Sequence, residues 1–275
     1  MDQLLYHYTD FISCDGILNG RELRVNNVLN MNDATEMELF VSGIFNAVIK
    51  RFSEDGQSEE IISRLNETLD VIRSRYFDFS AYAACFSGFR DDAAQWERYA
   101  NQGKGVCLVF RKSMLEKLTG RAVSLHKVYY QENMEMHPLV ERIYLLLKDN
   151  EKQTNDTELM NAAYEVLRNS ASFKHPSFLS ENEFRLIVMP FDVPDFDLKP
   201  RYHVARERIK KYYPLDLESM CRQAEITIED LITGIIVGPE STQSLPILRD
   251  YLRDMGLAVL AENISGSRCP LRSRI

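Results

Sequence analysis

The segment SENEFRLIV, residues 180–188, has the residue types and spacing that most directly suggest chemistry. In a β-strand, alternate side chains share a face, so Glu181, Glu183 and Arg185 would lie in one row. The two carboxylates would be roughly 6.5 Å apart, since a strand rises about 3.3 Å per residue. Such a row could form a catalytic site, but it is also typical of a strand face that borders solvent. On these residues alone both interpretations stay open.

Two more candidate residues lie in predicted strands. His7 belongs to YHYT, residues 6–9, and histidine serves functional sites because of its pKa and its two-sided hydrogen bonding. A lone histidine in an aromatic strand is more often structural, so a structural role for His7 stays open as the alternative. Ser87 ends the predicted strand AYAACFSG, at a point where functional side chains often emerge.

Several common catalytic signatures are missing from the sequence. The segment NQGKG has neither Walker nor dinucleotide-binding spacing, and no G-x-S-x-G occurs.

Trp96 and Tyr99 lie three apart on a predicted helix, where core packing is the expected role of Trp96. In NMNDATE, residues 30–36, the favoured interpretation is a helix cap at Asn32 or Asp33 with Glu36 as its partner.

A basic segment, RYHVARERIKKYY at residues 201–213, has five Lys or Arg and one Glu, which is a local charge of +4. Aromatic residues accompany these charges, so the segment is a candidate site for phosphate or single-stranded nucleic acid. The candidate substrate-binding residues are Arg201, Arg206, Lys210 and Lys211. A solvated charged face is the alternative interpretation.

Composition limits the classes of protein that fit. The chain of 275 residues has a net charge of −8, a sign that does not favour nucleic acid overall but allows a local basic groove. The five cysteines are scattered, and neither they nor the histidines have metal-ligand spacing. We therefore expect reduced cysteines, no metal and a cytoplasmic location. No signal peptide or membrane span is expected either.

Hydrophobic periodicity predicts short strands separated by helices of uneven length, which favours an α+β fold over regular βαβ alternation. LLYHYT, ELRV, AYAACFSG, GVCLVF, SLHKVYYQ, GIIVGP and LAVLAE are the other predicted strands. Helices are predicted from DFISCDGILNG, in the segment that runs through about Phe52, over 58–75, and from DDAAQWERYA, NDTELMNAAYEVLRNS and SLPILRDYLRDMG. One domain covering 1–275, with a helical insertion at about 134–172, is the most economical organisation.

These pieces, in this order, resemble the bacterial DUF2971 family, whose members are often found near phage-defence genes. The family pattern has an N-terminal YHYT, an LND-like segment with a nearby Glu, CFS, a Trp-containing helix, KG before an apolar strand, a Lys, E-x-E-x-R and a late VGP. Its counterparts here are residues 6–9, Asn32, Asp33, Glu36, residues 85–87, Trp96, Tyr99, Lys104, Gly105, Lys174, Glu181, Glu183, Arg185 and residues 237–239.

This order of motifs is in turn similar to the ADP-ribosyltransferase superfamily, which implies a split β-sheet core with flanking helices. The resemblance implies that NAD is the substrate that donates the transferred group. It places His7, with Thr9 beside it, on the ribose and Ser87 as the residue that orders the site. Glu183 would be the catalytic acid, and Glu181 would orient the acceptor. Tyr8 or Phe86 would stack on nicotinamide, and Arg185 would keep the carboxylates ionised.

The resemblance therefore predicts an NAD-dependent ADP-ribosyltransferase that acts as a toxin or phage-defence effector on RNA, DNA or protein. An NAD glycohydrolase, with water as the acceptor, is one alternative. A non-catalytic sensor or antitoxin-binding module of the same fold is another. A neutralising antitoxin is a plausible partner. The enzyme interpretations predict that Glu183→Gln abolishes activity with little loss of stability.

Overall fold

The computed structural model describes residues 2–30, 36–56, 59–76, 78–149, 156–194, 196–204 and 208–271. The strands are β1 (Leu4–Thr9), β2 (Glu22–Asn27), β3 (Tyr82–Ser87), β4 (Val106–Arg111), β5 (Val123–Lys127), β6 (Tyr129–Tyr130), β7 (Phe173–Lys174), β8 (Glu183–Val188), β9 (Arg201–Val204), β10 (Ile209–Asp216), β11 (Ile232–Val237) and β12 (Ile264–Gly266).

The helices are α1 (Phe11–Leu18), α2 (Glu36–Glu54), α3 (Glu59–Ser74), α4 (Ala93–Tyr99), α5 (Lys112–Lys117), α6 (Pro138–Asp149), α7 (Asp156–Ser170), α8 (Leu217–Gln223), α9 (Ile228–Leu231), α10 (Leu245–Asp254) and α11 (Ala258–Glu262). Short 3₁₀ helices cover Val28–Asn30, Met134–Met136, Pro176–Glu181 and Pro190–Asp192.

One large mixed sheet organises the chain. Its main path runs β12-β11-β4-β1-β3-β2-β10-β9, and β8 joins it by pairing with β3 on one side and β5 on the other. All pairs in this sheet are antiparallel except β11 with β12. The predicted α+β class is therefore confirmed.

The sheet opens next to β3. Strand β8 pairs with β3 along its whole length, whereas β1 and β2 share the other edge of β3. The β1 contact is at Tyr6 with Ser87, and the β2 contacts are at residues 82 and 83 of β3. Between these contacts, the pairs formed by the described residues leave Cys85 and its neighbours without a strand partner on that edge. The result is a gap between β1 and β2.

Local sequence explains the elements that border this gap. Asp10 and Asp92 cap α1 and α4, as their side chains accept hydrogen bonds from backbone N–H groups three residues later. Gly105 lies just before β4, where a Cβ atom would be 2.2 Å from the Thr9 carbonyl oxygen. Only glycine allows this approach, so Gly105 holds the start of β4 against the end of β1.

Two apolar clusters stabilise the fold. One lies under the sheet and includes Leu23, Phe86, Phe110 and Leu186. The other is formed by α2, α3, α6 and α7, with Phe40 among its buried residues. Helices α6 and α7 fall in the predicted insertion, but the sequence did not indicate that they share a core with α2 and α3. The division into domains stays a prediction.

Two predicted elements are wrong. LAVLAE, predicted as the last strand, forms α11, because the apolar residues Leu257, Leu260 and Ala261 are buried at helical spacing. The strand that includes Glu183 does not extend back to Glu181. Asn182 has a left-handed backbone, with φ of 43°, and it separates Glu181 in a 3₁₀ helix from Glu183 in β8.

Some predicted features lie outside the described residues. These are the candidate caps Asn32 and Asp33 and the basic residue Arg206. Helix α2 begins at Glu36, the predicted capping partner. Among the described residues, no helix is long and apolar enough to cross a membrane.

Candidate functional site

A cavity of about 470 Å³ lies at the gap in the sheet. Strands β1, β2, β3 and β8, together with α1 and α4, contribute to its lining. The predicted site residues that line it are His7, Tyr8, Thr9, Phe86, Ser87, Glu181, Glu183, Arg185 and Lys210. The fold thus brings together residues that are up to about two hundred positions apart in the sequence.

Both glutamates are buried, which contradicts the interpretation of a strand face that borders solvent. Glu181 is 3% exposed and Glu183 is 4% exposed. They approach the cavity from different elements, because the left-handed Asn182 turns the chain between them. The predicted row of side chains on one strand is therefore wrong, although the two carboxylates are still neighbours.

Lys174 joins the two carboxylates. Its Nζ lies 2.6 Å from Glu181 Oε2 and 3.0 Å from Glu183 Oε2. Strand β7 positions this lysine by pairing with β6, where Tyr130 accepts a hydrogen bond from the Glu183 backbone N–H at 2.9 Å. Lys174 is 5% exposed, so its charge interacts with the carboxylates in a poorly solvated environment.

Arg185 is the second cation on Glu183. Its Nε donates to Glu183 Oε1 at 2.8 Å, and its Nη1 donates to the Ala171 carbonyl at 3.0 Å. Burial alone would raise the pKa of Glu183, but the charges of Arg185 and Lys174 outweigh burial and lower that pKa to about 2. Glu183 is therefore ionised at neutral pH, as the resemblance implied for a carboxylate beside Arg185.

Helix α4 holds the other carboxylate. Arg98 Nη1 donates to Glu181 Oε1 at 3.0 Å, and the Tyr99 hydroxyl donates to the same oxygen at 2.9 Å. The Arg98 side chain is 47% exposed, so this pair marks the point where the buried network reaches the surface. Burial and the Glu181 charge raise the pKa of Tyr99, which keeps its hydroxyl protonated as a donor.

Ser87 orders the loop that carries Glu181. Its Oγ donates to the Glu181 carbonyl at 2.9 Å and accepts from the Phe89 backbone N–H at 3.1 Å. The first hydrogen bond holds the backbone that precedes β8, and the second holds the backbone that follows β3. This arrangement is consistent with a residue that positions other groups.

His7 reaches into the gap between β1 and β2. Its Nδ1 lies 2.8 Å from the Cys85 carbonyl oxygen, on the edge of β3 that lacks a strand partner. Burial lowers the pKa of His7, which favours the neutral ring. A carbonyl can only accept, so Nδ1 carries the proton and Nε2 is left as an acceptor.

The aromatic candidates have structural contacts of their own. The Tyr8 hydroxyl donates to the Phe89 carbonyl at 2.9 Å and accepts from the Asp92 N–H, while its ring packs edge-on against Trp96. Phe86 packs on Phe110, with ring centroids 5.1 Å apart, and is 1% exposed. Both residues border the cavity, as does Thr9.

The basic segment forms the hairpin β9–β10, and its charges do not act as one patch. Lys210 lines the cavity. Arg201 pairs with Glu22, while Lys211 lies over the Tyr82 and Tyr213 rings on the opposite face of the hairpin. Arg201 and Lys210 share one face of the hairpin and Lys211 lies on the other, because successive residues of a strand point to opposite faces.

Sequence reasoning missed several members of the site. Arg98, Tyr99 and Tyr130 contact the glutamates, yet only Tyr99 appeared in a motif and none was given a role. Lys174 appeared in the family pattern without an assigned contact. The one sequence signal for the contact of Lys174 with the glutamates was its position a few residues before them. The described residues contain no group of three His, Cys, Asp or Glu that could hold a metal ion.

Residues 95–186 match the family model described as "Protein of unknown function (DUF2971)". The predicted resemblance to DUF2971 is confirmed for this segment, which is roughly a third of the chain. The segment contains Arg98, Tyr99, Lys174 and both glutamates, and so the whole buried network falls within it. No curated protein and no solved structure matches the chain.

Proposed function

We propose that this protein is an NAD-dependent ADP-ribosyltransferase whose site is the cavity between β1 and β2. One observation carries the proposal. The gap in the sheet places His7, Ser87 and Glu183, from three different strands, on one cavity. The resemblance assigns these same residues to ribose binding, site ordering and catalysis.

The cavity suits a ligand of this chemical type. Its volume of about 470 Å³ lies in the range typical of small-molecule sites, roughly 300–1,000 Å³. His7 Nε2 would accept a hydrogen bond from a ribose hydroxyl, because Nδ1 already donates to Cys85. Tyr8 and Phe86 form part of the cavity wall where nicotinamide would lie, although each ring is largely covered by its own contacts.

The buried carboxylates supply the chemistry. Departure of nicotinamide leaves an oxocarbenium-like centre on the ribose, and a preorganised carboxylate next to that centre stabilises it electrostatically. Glu183 has this role in the proposal. Glu181 would accept the proton of the incoming nucleophile, since it lies beside Arg98 at the exposed end of the network. With water as the nucleophile, the same site would act as an NAD glycohydrolase.

One observation favours a different class of function. Lys174 and Arg185 already pair with the carboxylates, and such a network can also serve structure alone. A non-catalytic sensor or an antitoxin-binding module that retains the fold would need no further chemistry from these residues. The two classes differ in one measurable property, which is turnover of NAD.

The test incubates the purified protein with adenylate-labelled NAD together with RNA, DNA or lysate protein. Glu181→Gln, Glu183→Gln and His7→Ala are run beside the parent chain. Glu97→Gln is the matched control, because Glu97 is exposed on α4 and its substitution removes the same negative charge. Circular dichroism and thermal melting establish that each variant is folded.

We expect label transferred to one acceptor by the parent chain and by Glu97→Gln, and transfer lost in folded site variants. Free ADP-ribose without a labelled acceptor would overturn the transferase proposal in favour of an NAD glycohydrolase. No NAD turnover by the folded parent chain under any of these conditions would overturn both enzyme proposals in favour of the non-catalytic module.

A further inference from the structure

One face of β2, β10 and β9 continues the cavity toward the edge of the sheet. Antiparallel partners share a face, and Tyr212 pairs with both Asn26 of β2 and Arg201 of β9. The same face includes Lys210, which pairs with His203. We call it the β2–β9 face, and its residues are Glu22, Arg24, Asn26, Arg201, His203, Lys210, Tyr212, Pro214 and Asp216.

The cavity borders this face and not the opposite one on the hairpin. Arg24, His203 and Lys210 line the cavity. Lys211 and Tyr202 also pair with each other, but they lie on the other face, and neither lines the cavity. The two adjacent lysines of the hairpin therefore differ in direction, although they are identical in charge.

The β2–β9 face is basic in a chain whose net charge is −8. It carries Arg24, Arg201 and Lys210 against two carboxylates, Glu22 and Asp216. Glu22 pairs with both arginines, and Asp216 accepts from the Ser219 N–H at the far end of β10. Within the part of the chain that the structure describes, no carboxylate forms an ion pair with Lys210. An excess of positive charge thus remains beside the cavity.

The charges are accessible. The Arg24 side chain is 44% exposed and that of Arg201 is 61% exposed. Strand β9 ends the path of the sheet and is exposed along its whole length. The face spans three strands, a width of about 10 Å at the usual strand spacing. A duplex keeps its bases stacked and paired, whereas a single strand leaves them free to enter the cavity, so a single strand is the form that fits this site.

We propose that the β2–β9 face binds the phosphate backbone of a single-stranded nucleic acid and leads it to the cavity as the acceptor. The role of the nucleic acid as acceptor rests on the proposed function, whereas its binding to this face does not depend on catalysis. A polyanion is the occupant that matches a strip on which three cations outnumber two carboxylates and on which Lys210 is next to the cavity. The contacts are to phosphates, so recognition does not depend on sequence.

The test measures binding of fluorescently labelled RNA and DNA oligonucleotides by anisotropy, without NAD, over a range of salt concentrations. Three phosphate contacts predict that the logarithm of the association constant falls with the logarithm of salt with a slope of about −2. Arg24→Ala and Lys210→Ala should each weaken binding by about fivefold at 0.1 M salt and reduce the slope by about 0.7. Lys211→Ala is the matched control and should leave binding unchanged.

The outcomes separate the alternatives. Weaker binding in Arg24→Ala and Lys210→Ala, with Lys211→Ala unaffected, supports the proposal. Equal loss in Lys210→Ala and Lys211→Ala would overturn it, because the hairpin would then act through its total charge. No binding to either oligonucleotide, or label transferred only to protein, would also overturn it. Release of ADP-ribose, measured in parallel, distinguishes these failures from failure of the enzyme.

Discussion

The buried charge of Glu183 makes the stability of the protein sensitive to Glu183→Gln. The substitution keeps the size of the side chain but leaves Arg185 and Lys174 with one carboxylate fewer. The pKa of Glu183 falls from 4.5 to about 2 in the folded protein. A shift of this size corresponds to about 3 kcal/mol of folding free energy. Loss of one partner of a buried pair typically costs about 3–5 kcal/mol, in agreement with the value from the pKa shift.

The sign of the pH dependence follows from the direction of the shift. Because the folded pKa is lower than the unfolded one, the carboxylate stabilises the fold above the unfolded pKa of 4.5. This stabilisation falls to roughly half at pH 3 and is lost as the pH decreases through about 2. The difference between the parent chain and Glu183→Gln should therefore be largest at neutral pH and should shrink below pH 4.

Urea unfolding of both chains at pH 7 and at pH 3 measures this difference. Glu97→Gln is the control and should change the unfolding free energy by less than about 0.5 kcal/mol, because Glu97 is on the surface. A Glu183→Gln effect as small as that of the control at pH 7 would refute the buried network. We therefore expect Glu183→Gln to cost more stability than the enzyme interpretations predicted from the sequence, since Glu183 is 4% exposed and paired with two cations.

Three other predictions concern the elements around the cavity. Burial and the charge of Glu183 raise the pKa of the Cys85 thiol, so a thiol reagent at pH 8 should modify Cys85 only after unfolding, as mass spectrometry would reveal. Asp92→Ala removes the cap that accepts from the Gln95 N–H and should cost about 1 kcal/mol in urea unfolding. Gly105→Ala places a Cβ 2.2 Å from the Thr9 carbonyl and should lower the melting temperature by several degrees, whereas Gly120→Ala, with open space around it, should not.

The sequence by itself determined most of the local elements. Short apolar runs located β1, β3, β4 and β11, and Asp10 lies at the predicted start of α1, where it caps the helix. Residue types and their order also indicated DUF2971. A short apolar run was not enough to separate strand from helix at LAVLAE, because length and composition allow both.

Only the tertiary structure decided the environment of the candidate site. Whether Glu183 borders solvent or core depends on Lys174, Arg185 and the strands on either side of β8, and no local pattern contains that information. The same holds for Arg98 and Tyr99, which reach Glu181 from a helix more than eighty residues earlier. The gap between β1 and β2 likewise depends on how three strands share the edges of β3. Charges and hydrogen bonds act through space, so chain separation does not reveal which of them meet.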